Sequence, residues 1–162
     1  MIRGKICLLV NNASGYVDEL IVVEAYNNAQ KPFGFLFTLD LYDCKAGVCD
    51  DIALCYDFLE KLVDELQMQK QSPPFIFRSD GNKYPEKAGL SGWVPLIESG
   101  IQIHTLSAKN FISIDIYSCG PFRTERLAEF VRTFFEPGDI ETNLIPRGTK
   151  YHHSFAADEP II

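Results

Sequence analysis

Long hydrophobic runs are missing from this 162-residue chain. Crossing a bilayer takes roughly 20 apolar residues in a row, and the apolar stretch nearest the N-terminus, residues 6–10, ends at two asparagines. That stretch is also too short for the apolar region of a secretion signal. The chain therefore reads as cytoplasmic, with no membrane partner. Basic residues are outnumbered: 15 Lys and Arg stand against 22 Asp and Glu, for a net charge of −7. Neutralising a phosphate backbone needs clustered cations, so the charge argues against a nucleic-acid partner, whereas a small cationic substrate is compatible. Histidine is sparse, at positions 104, 152 and 153, and no cysteine pair has the CxxC spacing. No zinc-type ligand set assembles from these residues, so no metal is expected. The five cysteines (7, 44, 49, 55 and 119) are odd in number. Four read as ordinary reduced thiols; Cys119 needs separate treatment.

What is present is enough hydrophobic residue, 46%, to fill the core of one ordinary domain. Residues 1–34 are ambiguous, with strand-like runs at 5–10 and 21–23. They read as an extension packed on a domain spanning 35–150, and residues 151–162 as a loose polar tail. Residues 35–41 (FLFTLDL) have the make-up of a buried strand. Asp50 and Asp51 then open a helix, acidic residues suiting the positive end of its dipole. Ile52, Cys55, Leu59, Leu62, Val63 and Leu66 share its inner face. Further strands fall at 75–77, 90–97, 100–106, 111–118 and 140–145, with a turn-rich loop over 79–89. Pro95 inside its strand suggests an edge or a bulge. A second helix covers about 123–135, with Leu127, Phe130, Val131 and Phe134 inward. Two helices against a mostly antiparallel sheet make an α+β fold, a two-layer sandwich.

The hairpin around 107–110 permits a geometric inference. Simple antiparallel register sets Leu106 against Phe111, His104 against Ser113 and, if the ladder continues, Glu98 against Cys119. A thiol then lies beside the Glu98–Ser99 peptide bond. Cys119 also alternates with Ser113, Asp115 and Tyr117, away from the isoleucines of its strand. Geometry alone still favours the plainer reading, a cysteine with no task. His104 leaves the apolar face too, but five extended residues span roughly 16 Å. For His104 to meet Ser99 the chain must bend near Gly100, where glycine makes a turn cheap, or move there once cut.

The stretch LSGWVPLIESGIQIHT at 90–105, followed by IDIYSCG at 114–120, resembles the core of the short prokaryotic S-adenosylmethionine decarboxylases. The likeness runs back through LDLYDC at 39–44 and forward to Arg147-Gly148. A Glu-Ser pair with a serine eight before its serine, a histidine five after and a cysteine twenty after is a specific combination; any one of these would mean nothing. The resemblance implies a homodimeric carboxy-lyase of polyamine synthesis, made as a proenzyme that cuts itself between Glu98 and Ser99. In that scheme Ser99 attacks the preceding carbonyl, an N-to-O acyl shift forms an ester, and β-elimination leaves a covalent pyruvoyl group derived from Ser99. His104 would take the α-proton during the cut, with Ser91 in support. Cys119 would protonate the substrate carbon once CO2 has left. The keto group forms a Schiff base with the substrate amine and accepts the electrons of the breaking bond. Neither pyridoxal phosphate nor a metal is called for.

Departures from the family's pattern fall around the site. Gly100 stands where a histidine is usual, and Leu106-Ser107-Ala108 replaces Trp-Pro-Glu. The 84–89 loop (YPEKAG) is one residue longer than usual, with Tyr84 able to replace a phenylalanine as an adenine-stacking surface or simply to pack. Processing residues are thus kept while the nucleoside surroundings change. Ornithine or arginine becomes an alternative to S-adenosylmethionine, with Asp40, Asp115 and the Glu98 carboxyl as candidate anions for a cationic end. Another alternative is an unprocessed paralogue that binds or regulates without catalysing.

Overall fold

The computed structural model describes residues 32–151 apart from 80, 121 and 125. The strand-like runs at 5–10 and 21–23, and the tail from 152, lie outside the described residues. In chain order the elements are β1 (Gly34–Tyr42), α1 (Ile52–Glu65), β2 (Phe75–Ser79), β3 (Gly89–Leu96), β4 (Ser99–Leu106), β5 (Phe111–Ser118), α2 (Leu127–Phe135) and β6 (Asp139–Arg147). The strands form one antiparallel sheet in the order β2-β3-β4-β5-β1-β6.

Strand alternation decides which face meets the helices. Ile112, Ile114 and Ile116 of β5 are fully buried beside Leu39 and Leu41 of β1, Ile101 and Ile103 of β4, and Val94 of β3. Ser113, Asp115 and Tyr117 take the opposite face. Against the apolar face lies α1, started by Asp51, whose carboxylate accepts the Leu54 N–H at 2.9 Å, a cap worth about 1 kcal/mol. Phe58 is fully buried, and its ring centroid lies 5.9, 5.3 and 4.8 Å from those of Phe130, Phe134 and Phe135. This aromatic cluster joins α2 to α1 in one core beneath the sheet. Two helices on one face give the expected two-layer α+β sandwich. No helix among the described residues covers the other face, nor is any long and apolar enough to cross a membrane.

Four local expectations change. Ile52 is 42% exposed, lining an open surface groove beside Phe75, Ile76 and Phe77 of the edge strand, and Phe58 is fully buried on the inner face. The second helix begins at Leu127 rather than near 123, and Phe135, its last residue, is fully buried while Phe134 is partly exposed. The turn-rich stretch of 79–89 contains one turn of 3-10 helix, Pro85–Lys87. Finally, β3 is not an edge. Pro95 is tolerated because β2 pairs only as far as Trp93; beyond it the segment 69–71 lines β3, with the Gln71 N–H donating to the Pro95 carbonyl at 3.0 Å.

Candidate active site

The connection from β3 to β4 is a two-residue turn, Ile97-Glu98, flanked by the register pair Leu96 and Ser99. Immediately after the turn, Ser99 has φ 146°, a region that costs a non-glycine residue about 1–3 kcal/mol. Neighbouring groups hold the turn in place. The Cys119 N–H donates to the Glu98 carbonyl oxygen at 2.9 Å, and the Ile97 N–H donates to the Gln69 carbonyl at 2.9 Å. The Gln69 N–H reaches the Glu98 carboxylate Oε2 at 3.2 Å. The expected register therefore extends to Glu98 and Cys119, and the strain sits on Ser99 itself rather than on Gly100. Opposite Ser99 is Ser118, fully buried. Its Oγ accepts the Gly120 N–H at 3.0 Å and donates to the Gly120 carbonyl at 2.9 Å, so it folds the chain tightly around Cys119. The Cys119 thiol is exposed.

A second group occupies the uncovered face of the sheet. Ser91, His104, Ser113, Asp40 and Glu141 follow one another across β3, β4, β5, β1 and β6. Ser91 Oγ lies 2.9 Å from His104 Nδ1, which orients the ring. Asp40 has its carboxyl pushed above the usual carboxylate range, mainly by partial burial and then by the negative charges of Glu141 and Asp115. Asp115 lies in the next row with Gln102 and Thr38.

The described chain thus brings the predicted residues together in two groups: Glu98, Ser99 and Cys119 at one end of the hairpin, and Ser91 and His104 further along it. Five residues of β4 separate Ser99 from His104, roughly 16 Å at the rise of a strand. Tyr84 is not brought to Ser99 either. It precedes β3 at that strand's far end, half exposed, with Lys83 Nζ and Lys87 Nζ 5.2 and 4.9 Å from its ring centroid.

Gly100 has a packing reason for being glycine. A Cβ there would stand 2.8 Å from Trp93 Nε1, and the Trp93 ring is stacked on Phe75 with centroids 6.4 Å apart. The indole fills the space that a side chain at 100 would need. Sequence reasoning missed Trp93, Gln69 and Ser118. The register that paired Glu98 with Cys119 also pairs Ser99 with Ser118, and a serine two residues before Gly120 is a turn signal; those two facts could have found it. Gln69 carries no such mark.

The fold, together with the relatives it matches, is that of a carboxy-lyase. The chain belongs to the S-adenosylmethionine decarboxylase family, whose profile matches residues 36–148. It is 29% identical over 128 residues to the S-adenosylmethionine decarboxylase proenzyme of Persephonella marina, a match covering 78% of this chain and 91% of that one. With the proenzyme of the same name from Aquifex aeolicus it shares 28% identity over 119 residues, 73% of this chain and 83% of the other. The crystal structure of the adenosylmethionine decarboxylase from Aquifex aeolicus has the same fold, with a TM-score of 0.59 at 24% identity, over 82% of this chain and 99% of that one.

Proposed function

We propose that this chain is a proenzyme that cuts itself between Glu98 and Ser99 and then decarboxylates S-adenosylmethionine, the substrate for which its relatives are named. The observation that carries the reading is the left-handed backbone of Ser99, φ 146°, directly behind a carbonyl fixed by a hydrogen bond. Strain at the residue that must attack its own peptide bond favours the acyl shift, because rearrangement to the ester releases it. The residues fit a covalent pyruvoyl group made from Ser99, which would supply an electron sink for loss of CO2. Held through Nδ1 by Ser91, His104 keeps Nε2 for the α-proton of Ser99 during the cut. The exposed Cys119 thiol, adjacent to the cut, serves as the acid in turnover. Asp40 and Asp115 offer negative charge to a cationic substrate.

The distance between Ser99 and His104 along β4 supports a homodimer. The uncovered face carries Trp93 (49% exposed) and Ile145 (43% exposed) beside the polar row through His104. In the homodimer proposed here these faces pack together, and the His104 and Ser91 of one copy serve the Ser99 of the other.

A second substrate reading rests on Gly100 and Trp93. Indole occupies the space that the family's usual histidine would take, so the surroundings of the nucleoside differ, and ornithine or arginine would need no such surroundings. Intact-mass measurement of the purified protein tests the cut: two fragments parting before residue 99 are expected, and Ser99→Ala should give one full-length mass and no activity. A single uncut mass for the unaltered chain would sink the reading and favour a non-catalytic paralogue. Measuring CO2 release from S-adenosylmethionine, ornithine and arginine decides the substrate.

A further inference from the structure

Alternation puts Thr105 on the core face of β4, two places beyond Ile103, and its side chain is fully buried. A hydroxyl there must find partners inside the protein, since water cannot supply them. It has two. Thr105 Oγ1 donates to the Cys49 carbonyl oxygen at 2.6 Å and accepts the Leu90 N–H at 2.7 Å. Both ends of this clamp are fixed. Cys49 is buried in one turn of 3-10 helix, Val48–Asp50, and its Sγ lies 3.7 Å from the Phe111 carbonyl oxygen. Leu90 is fully buried too. A Cβ on Gly89 would stand 2.9 Å from Thr105 Oγ1, so the two strands press closely around the hydroxyl. The clamp falls where the ladder ends, because the last register pair of β3 with β4 at this end is Ser91 with His104. Ser91 follows Leu90 directly, and His104 directly precedes Thr105. The hydroxyl therefore ties together the two main chains that carry the Ser91 Oγ–His104 Nδ1 contact of 2.9 Å.

We propose that Thr105 is a positioning residue for self-cleavage, its hydroxyl acting through the Ser91–His104 contact to set the imidazole for the elimination step. In that step the Ser99 Cα–H proton of the ester passes to His104 Nε2, its electron pair becomes the Cα=Cβ bond, and the Cβ–O bond breaks to free the Glu98 carboxylate. Misplacing a catalytic group by about 1 Å can cost about 10²-fold, whereas the acyl shift that comes first makes no use of the imidazole. The inference rests on the self-cutting reading above, and its test separates the two. Thr105→Val keeps the shape of the side chain and removes the hydroxyl. It should still form the ester, so that a form split by hydroxylamine between residues 98 and 99 builds up, the same form at which His104→Ala stops. Release of the two fragments should slow at least about tenfold. Thr105→Ser, which keeps the hydroxyl, should restore the rate. In a Ser91→Ala background, where the contact is already lost, Thr105→Val should add little. Thr105→Cys has only a weak donor and acceptor and should slow elimination in the same way, which keeps the test valid if valine unfolds the chain; thermal melting monitors folding. Unaltered fragment release from folded Thr105→Val overturns the proposal, as does slowing without build-up of the ester, or a further tenfold loss in the Ser91→Ala background. If the unaltered chain is never split at 98–99, the self-cutting reading itself has failed, and this proposal with it.

Discussion

At Cys119 the side chain and the main chain meet different surroundings. Its thiol is exposed, whereas its amide N–H is bound to the Glu98 carbonyl. Cys119→Ala removes only the thiol. Cutting should therefore persist, as two fragments by mass, while turnover of cut enzyme falls by about 10²-fold or more, the usual contribution of a positioned acid; unchanged CO2 release would remove the thiol from the reaction. Asp40 yields a prediction of a different kind. Its folded-state carboxyl is raised by partial burial and by Glu141 and Asp115, so the folded chain holds a proton that the unfolded chain has already lost. The resulting cost to stability is absent below the ordinary value of 3.8, grows as pH climbs above it, and is complete once the folded group has ionised. Asp40→Asn should raise the melting temperature at neutral pH and leave it unchanged near about pH 3. A gain of equal size at both would mean that its charge is not the cause.

Between elements, β3 and β4 are matched through one exchange of volume. Trp93 occupies the room that Gly100 leaves, so Gly100→Ala should cost about 1–3 kcal/mol by overpacking. In a Trp93→Ala background most of that cost should vanish, a coupling that urea unfolding of the four chains would measure. Additive losses would show that the indole is not the obstacle. This pair also marks where sequence reading ran out. Alternation placed Ile112, Ile114 and Ile116 inside, and the length of the 107–110 hairpin paired Glu98 with Cys119, because both follow from a period of two and one loop. An odd glycine was visible at 100, but its partner was not, since nothing local says which side chain fills an empty place. Likewise the bend expected at Gly100 falls on Ser99, and no residue type at 99 announces it, since serine carries no preference for that backbone. Pro95 misled for a related reason, because the sequence does not show how far β2 reaches.

For the whole molecule the unresolved relation is between Ser99 and His104, which one chain keeps roughly 16 Å apart along a strand. If the site is completed across a two-fold axis, each active centre takes its Ser99 and Cys119 from one copy and its His104 and Ser91 from the other. The two defects then complement. Ser99→Ala cannot be cut, and His104→Ala should stop at the ester; each alone gives only full-length chain. Produced together with different tags, they form mixed dimers in which the Ser99 of the His104→Ala chain faces an intact His104. That chain, and never the Ser99→Ala chain, should be cut, and at random pairing about half of it sits in mixed dimers. Were His104 to act within its own chain, neither tag would report a fragment. Such a result would leave the uncovered sheet face without this role, and Ser99 would have to reach His104 by a movement of its own strand.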